Sequence, residues 1–189
     1  MLQPIGESLL SRVQELLHYD ATAPLIFNSG LFLYMFVAFA AGYLLLRRVD
    51  SLRILYVIAF SLYFYYKSSG IYFLLLLFSA VADYLIAHAI DSSQSNRERK
   101  GWVTLSVVIN LGMLAYFKYT NFFIEMANSL VGEGFLQFQN IFLPVGISFF
   151  VFQSMSYTID VYRGTLRPLD RFFDYLFYLS FFPQVLAGP

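Results

Sequence analysis

The sequence predicts an all-α, polytopic integral membrane protein with about six transmembrane or partly re-entrant helices. Three observations lead there. The 189 residues are 59% hydrophobic and only 13% charged, with a mean hydropathy of +0.63. A soluble domain is about half apolar and a quarter charged. Second, apolar runs of about twenty residues, the length that crosses a bilayer core, recur along the chain. Third, lysines and arginines collect in alternate connecting loops, as the positive-inside rule requires.

The elements follow in order. Residues 1–22 open with MLQPIGESLLSRVQELLHYD, where Ile5, Leu9, Leu10, Val13, Leu16 and Leu17 recur at helical spacing. This predicts an amphipathic helix lying in the membrane interface. Residues 25–189 form the transmembrane portion. Its first span is Leu25–Leu46. A short aromatic run, Ile54–Tyr66, follows and closes at Lys67-Ser-Ser-Gly70. The third span is Ile71–Ile90, then comes the aqueous loop DSSQSNRERKG, then Trp102–Phe117. Lys118–Asn140 mixes polar and apolar residues and reads as interfacial. Ile141–Val161 is the fifth span, and Phe172–Leu186 begins a sixth.

Loops 47–53, 91–101 and 162–171 hold nine of the twelve basic residues, and Arg12, Lys67 and Lys118 hold the other side. The basic loops are expected in the cytoplasm and the N-terminus outside it. Zero formal net charge gives no bulk attraction to nucleic acid. The lack of cysteine excludes disulfides and thiolate chemistry. No metal site is expected.

Chemistry can sit in few places. In the fifth span Gln153, Ser156, Tyr157 and Asp160 fall at i, i+3, i+4 and i+7, a polar stripe on one helical face. Such a stripe faces a bundle interior or a wet cavity, as a passage lining or as helix–helix glue. Asp160 also lies within reach of Arg163. Pro144 and Gly146 mark either a plain helix start or a late-starting helix that frees backbone to line a cavity. Asp83, the most deeply placed acid, is either a proton or substrate contact or the partner of a Lys, Arg or Tyr elsewhere. Asn110 reads as an interhelical hydrogen bond. His88 and Asp91, three residues apart, form at most an ordinary interfacial pair or a general base.

LPVGISFFVFQSMSYTIDVYRG, followed by DYLFYLSFFPQVLAGP, resembles the membrane-bound O-acyltransferase (MBOAT) family, and within it the bacterial alginate O-acetyltransferases. SLYFYYKSSGIYFLLLLFSAVADYLIAHAI and LAYFKYTNFFIE sit in the same order. The resemblance implies acyl transfer across a bacterial inner membrane to an extracytoplasmic polysaccharide such as alginate or another envelope glycan. It implies a donor such as acetyl-CoA or an acyl carrier, no bound cofactor, and a periplasmic acetyltransferase partner. The family's catalytic histidine lies beyond the AGP motif, and neither His18 nor His88 matches it. No catalytic residue is therefore assigned here, and the chain is expected to be the N-terminal portion of a longer enzyme, inactive without a C-terminal half. A transporter or channel subunit, or a non-catalytic membrane scaffold, is the alternative from composition.

Overall fold

Eight α-helices, one 3₁₀ turn and one π-helical turn account for the regular structure of residues 30–46, 48–132 and 136–187, the part that the computed structural model describes. No strand occurs among these residues. The interfacial helix expected over 1–22, with His18, lies outside the described residues. The chain divides into two compact units, Met1–Phe73 and Leu74–Pro189.

The described part of the first unit holds α1 (Gly30–Leu45) and α2 (Asp50–Ser69). Aromatic rings seal them together. Phe39 lies 4.3 Å from Phe60 and stacks at 5.5 Å on Tyr56, whose hydroxyl donates to the Phe39 carbonyl at 3.3 Å. Gly42 has no Cβ because the Tyr56 ring occupies that space. The second apolar run is longer than the sequence suggested. Lys67, Ser68 and Ser69 are buried and helical rather than a closing loop. The break comes at Gly70, whose φ of 60° and ψ of −141° suit only glycine.

The second unit begins with α3 (Phe73–Ser92, of which Phe73 belongs to the first unit) and α4 (Asn96–Leu114). Ser95 caps α4 by accepting from the Arg97 amide. No glycine or proline interrupts residues 113–131, so the helix continues through a π-helical turn, Ala115–Tyr119, into α5 (Thr120–Val131). The helix therefore runs past Phe117, where the fourth span was expected to end, and takes in the first part of the segment 118–140 expected to be interfacial. Two asparagines one heptad apart then hold the returning segment. Asn121 exchanges two hydrogen bonds, both 2.9 Å, with the backbone of Gln139. Asn128 does the same with Leu136, at 2.9 and 2.8 Å.

The helix α6 (Ile147–Arg163) starts directly after the Pro144–Gly146 start that the sequence marks, six residues inside the expected span Ile141–Val161. Pro144 cannot donate, and Gly146 sits in the left-handed region at φ 73°, where a Cβ would strike the Val185 carbonyl oxygen. The expected sixth span is two short helices, α7 (Phe172–Ser180) and α8 (Phe182–Ala187). They part at Phe181 because Pro183 has no N–H to extend α7.

Residues Ile147, Phe150, Val151, Ser154, Tyr157, Thr158 and Val161 of α6 are buried, a continuous helical face on a helix that packs against α4. Arg99 at the start of α4 donates to the Tyr162 carbonyl at 2.8 Å and lies over the Tyr162 ring, capping the end of α6. Two of the basic loops therefore meet at one end of this unit. Among the described residues two helical runs, 50–92 and 96–131, are long and apolar enough to cross a membrane, the first interrupted at Gly70. Large apolar side chains such as Leu85, Val108 and Phe152 face outward at half exposure or more, an exterior suited to lipid.

Candidate functional site

Each of three helices of the second unit carries a pair of polar residues four apart: Ser79 and Asp83 on α3, Ser106 and Asn110 on α4, Ser154 and Thr158 on α6. Residues four apart share a helix face. All six are fully buried, with no residual exposure, and they converge on the Asp83 carboxylate. Ser106 donates to its Oδ1 at 2.6 Å and Asn110 to its Oδ2 at 2.7 Å. Ser154 also donates to Oδ2.

A second layer stands behind these donors. The Tyr175 hydroxyl of α7 bonds Ser154 at 2.7 Å, Thr158 bonds Ser106 at 2.8 Å, and Ser79 donates to the Asn110 carbonyl oxygen at 3.3 Å. No lysine or arginine among the described residues pairs with Asp83. Neutral donors hold it instead. Burying an acid is costly unless its oxygens are hydrogen-bonded, and three direct donors supply that here.

The residues singled out in the fifth span are placed differently. On α6, Ser154 and Ser156 stand about 200° apart around the axis. Ser154 is buried and Ser156 is exposed. Tyr157 is buried, and its hydroxyl accepts the Leu169 amide at 2.9 Å. Gln153 and Asp160 are half-buried. The Gln153 amide donates to the Tyr178 carbonyl of α7 at 2.8 Å, while its Oε1 is buried without a partner. The Asp160 carboxylate makes no bond to Arg163 or to any other described residue. The structure thus splits the predicted stripe. Tyr157 turns inward beside Ser154 and Thr158. Gln153, Ser156 and Asp160 stay within about 60° of one another on another face.

His88 does not pair with Asp91. Its Nε2 lies 3.2 Å from the Leu169 carbonyl, and Tyr84 donates to the Asp170 carbonyl at 2.9 Å. With the Tyr157 hydroxyl, these contacts fasten the 169–170 segment against α3 and α6. Asn110 makes the interhelical bond its position suggested. Ser106, Ser154, Thr158 and Tyr175 were not identified from sequence. The i, i+4 repetition of small polar residues in three apolar helices is the signal that marks the first three.

Known proteins resemble this chain in sequence. It is 31% identical to a peptidoglycan O-acetyltransferase of Helicobacter pylori over 87% of its own length and 36% of that protein's. It is 34% identical to a "Probable alginate O-acetylase AlgI" of Pseudomonas aeruginosa, over 87% of this chain and 32% of that protein. The same name in Azotobacter vinelandii gives 35%, with 87% and 34% covered. The chain therefore spans about a third of the length of the curated relatives it matches. No protein-family model matches, and no solved structure matches. The resemblance to bacterial O-acetyltransferases drawn from the motifs is borne out.

Proposed function

We propose that this chain is part of a bacterial membrane-bound O-acyltransferase that moves acetyl groups onto a hydroxyl of an extracytoplasmic glycan. The observation that carries this reading is 31–35% identity over 87% of the chain to proteins named for O-acetylation of alginate or peptidoglycan. A many-spanned inner-membrane enzyme, with its basic loops in the cytoplasm and its N-terminus outside, agrees with the apolar exterior. It also agrees with the basic ends of α4 and α6 meeting through Arg99.

In this reading the chain supplies a scaffold and one wall of the acetyl passage. The chemistry of attack belongs to a histidine in the remaining part of the enzyme. The donor is acetyl-CoA or an acyl carrier, and a periplasmic acetyltransferase takes up the group where the acceptor is alginate. The wall is the Gln153, Ser156 and Asp160 face of α6, where Ser156 is exposed, the Asp160 carboxylate has no partner among the described residues and Gln153 donates to Tyr178, with Tyr157 at its edge.

The test is acetate transfer. Membranes from a strain lacking its own O-acetylases, expressing the chain with its native flanking coding sequence, are given labelled acetyl-CoA and either alginate or peptidoglycan. Label in one glycan is expected, with none when residues 1–189 are expressed alone. Label in neither glycan from the flanked form contradicts the proposal.

A further inference from the structure

The two oxygens of Asp83 are not equivalent. Oδ2 takes donors that cannot turn round. The Asn110 amide nitrogen has only protons to give, and its carbonyl oxygen is held by Ser79. Tyr175 is fully buried and has no acceptor besides Ser154 among the described residues, so it donates there and commits the Ser154 proton to Asp83. Oδ1 differs. Its donor Ser106 bonds Thr158, and Thr158 has a second acceptor in the Met155 carbonyl at 2.9 Å. This limb can run from Thr158 through Ser106 to residue 83, or from residue 83 through Ser106 and Thr158 to Met155.

We propose that Asp83 is a positioning residue for acetyl transfer. Through its Oδ2 donors it fixes the rotation of α6, so that Ser154 faces inward and Gln153, Ser156 and Asp160 face the passage. The proposal rests on the acetyl-transfer reading of that face. What α6 requires at position 83 is an acceptor aimed at Ser154 and Asn110, not a negative charge. An asparagine there meets the need by keeping its oxygen on the Oδ2 side and giving its amide to Ser106, provided the Ser106–Thr158 limb reverses. That reversal needs the Thr158 hydroxyl.

The experiment is a double-variant cycle in the protein with its native flanking sequence: wild type, Asp83→Asn, Thr158→Val and the pair, read by acetyl-transfer kinetics and by melting temperature in detergent. Each single variant is expected to keep kcat within about threefold of wild type. The pair is expected to lose kcat by about tenfold beyond the product of the singles, with KM unchanged. Asp83→Asn with Thr158→Ser, which keeps the hydroxyl, is expected to recover the single-variant rate. A pair whose losses simply multiply overturns the proposal. If the pair does not assemble, Ser154→Ala, which removes the direct donor of α6, is expected to lower kcat about tenfold, and an unchanged kcat overturns it. Should the wild type transfer no acetate to any glycan, the acetyl-transfer reading falls. The melting temperatures then decide the helix register, since non-additive loss supports the Asp83 pin and additive loss overturns it.

Discussion

Two faces of α6 carry the same kinds of residue and do opposite things. Ser154 and Thr158 are buried in a closed circuit around Asp83. Gln153, Ser156 and Asp160, on another face of the same helix, have an unpartnered buried oxygen, an exposed hydroxyl and an unpaired carboxylate among the described residues. Polar groups in an apolar helix are costly unless they meet a partner. The first face meets its partners inside this chain. The second meets a partner only through the Gln153 amide, which donates to the Tyr178 carbonyl, and leaves Ser156 and Asp160 for water, substrate or protein that these residues do not include. The lesson is that polarity marks both faces, and the location of the partner separates structure from function.

Substitutions should separate the faces by the quantity they change. Asp83→Leu leaves Asn110, Ser106 and Ser154 without their acceptor. Each buried donor left unsatisfied costs about 1–3 kcal/mol, so a loss of several such donors is expected to appear as a large fall in detergent melting temperature or loss of assembly. Gly146→Ala comes next. Its positive φ and the Val185 carbonyl both oppose a Cβ, and a loss of about 1–3 kcal/mol, the range for a strained backbone residue, is expected in the same measurement. On the open face, Gln153→Ala and Asp160→Ala should leave insertion intact, with melting unchanged for Asp160→Ala and about 1 kcal/mol lost for Gln153→Ala through its bond to Tyr178. Acetyl transfer should fall about tenfold, equivalent to about 1.4 kcal/mol, and wild-type transfer in both removes this face from the mechanism. Smallest is Asn128→Ala, away from both faces. It undoes one exposed clamp on Leu136 and is expected to cost about 1 kcal/mol, with transfer unchanged.

Much of this was legible in the residues. Composition carried the helical, membrane-suited class, and depth in an apolar run singled out Asp83 and Asn110. The motif around LPVGISFF carried the kinship. Glycine and proline chemistry at 144–146 marks where the helix begins, and the close approach of Val185, 39 residues away, shows why Gly146 must be glycine there. The segment Lys118–Asn140 reads as interfacial because polar residues and glycines mix with its apolar ones, yet it is helical as far as Val131. Its helicity follows from continuity with α4, which local polarity does not report. The rotation of α6 was beyond the sequence for a similar reason. A polar stripe through Gln153, Ser156, Tyr157 and Asp160 and one through Ser154 and Thr158 are equally good patterns. What decides between them is a carboxylate 71 residues upstream.

The division of α6 can be measured directly because residues 1–189 contain no cysteine, once any cysteine of the flanking sequence is replaced by serine. Single cysteines placed at 153, 154, 156, 158 and 160 in the flanked protein, in native membranes, can be exposed to a small hydrophilic maleimide. Labelling at 153, 156 and 160 with protection at 154 and 158 is the predicted pattern. Equal labelling of both sets, or labelling of 154 and 158 with protection of 156 and 160, would contradict a helix that is knotted on one face and open to a passage on the other.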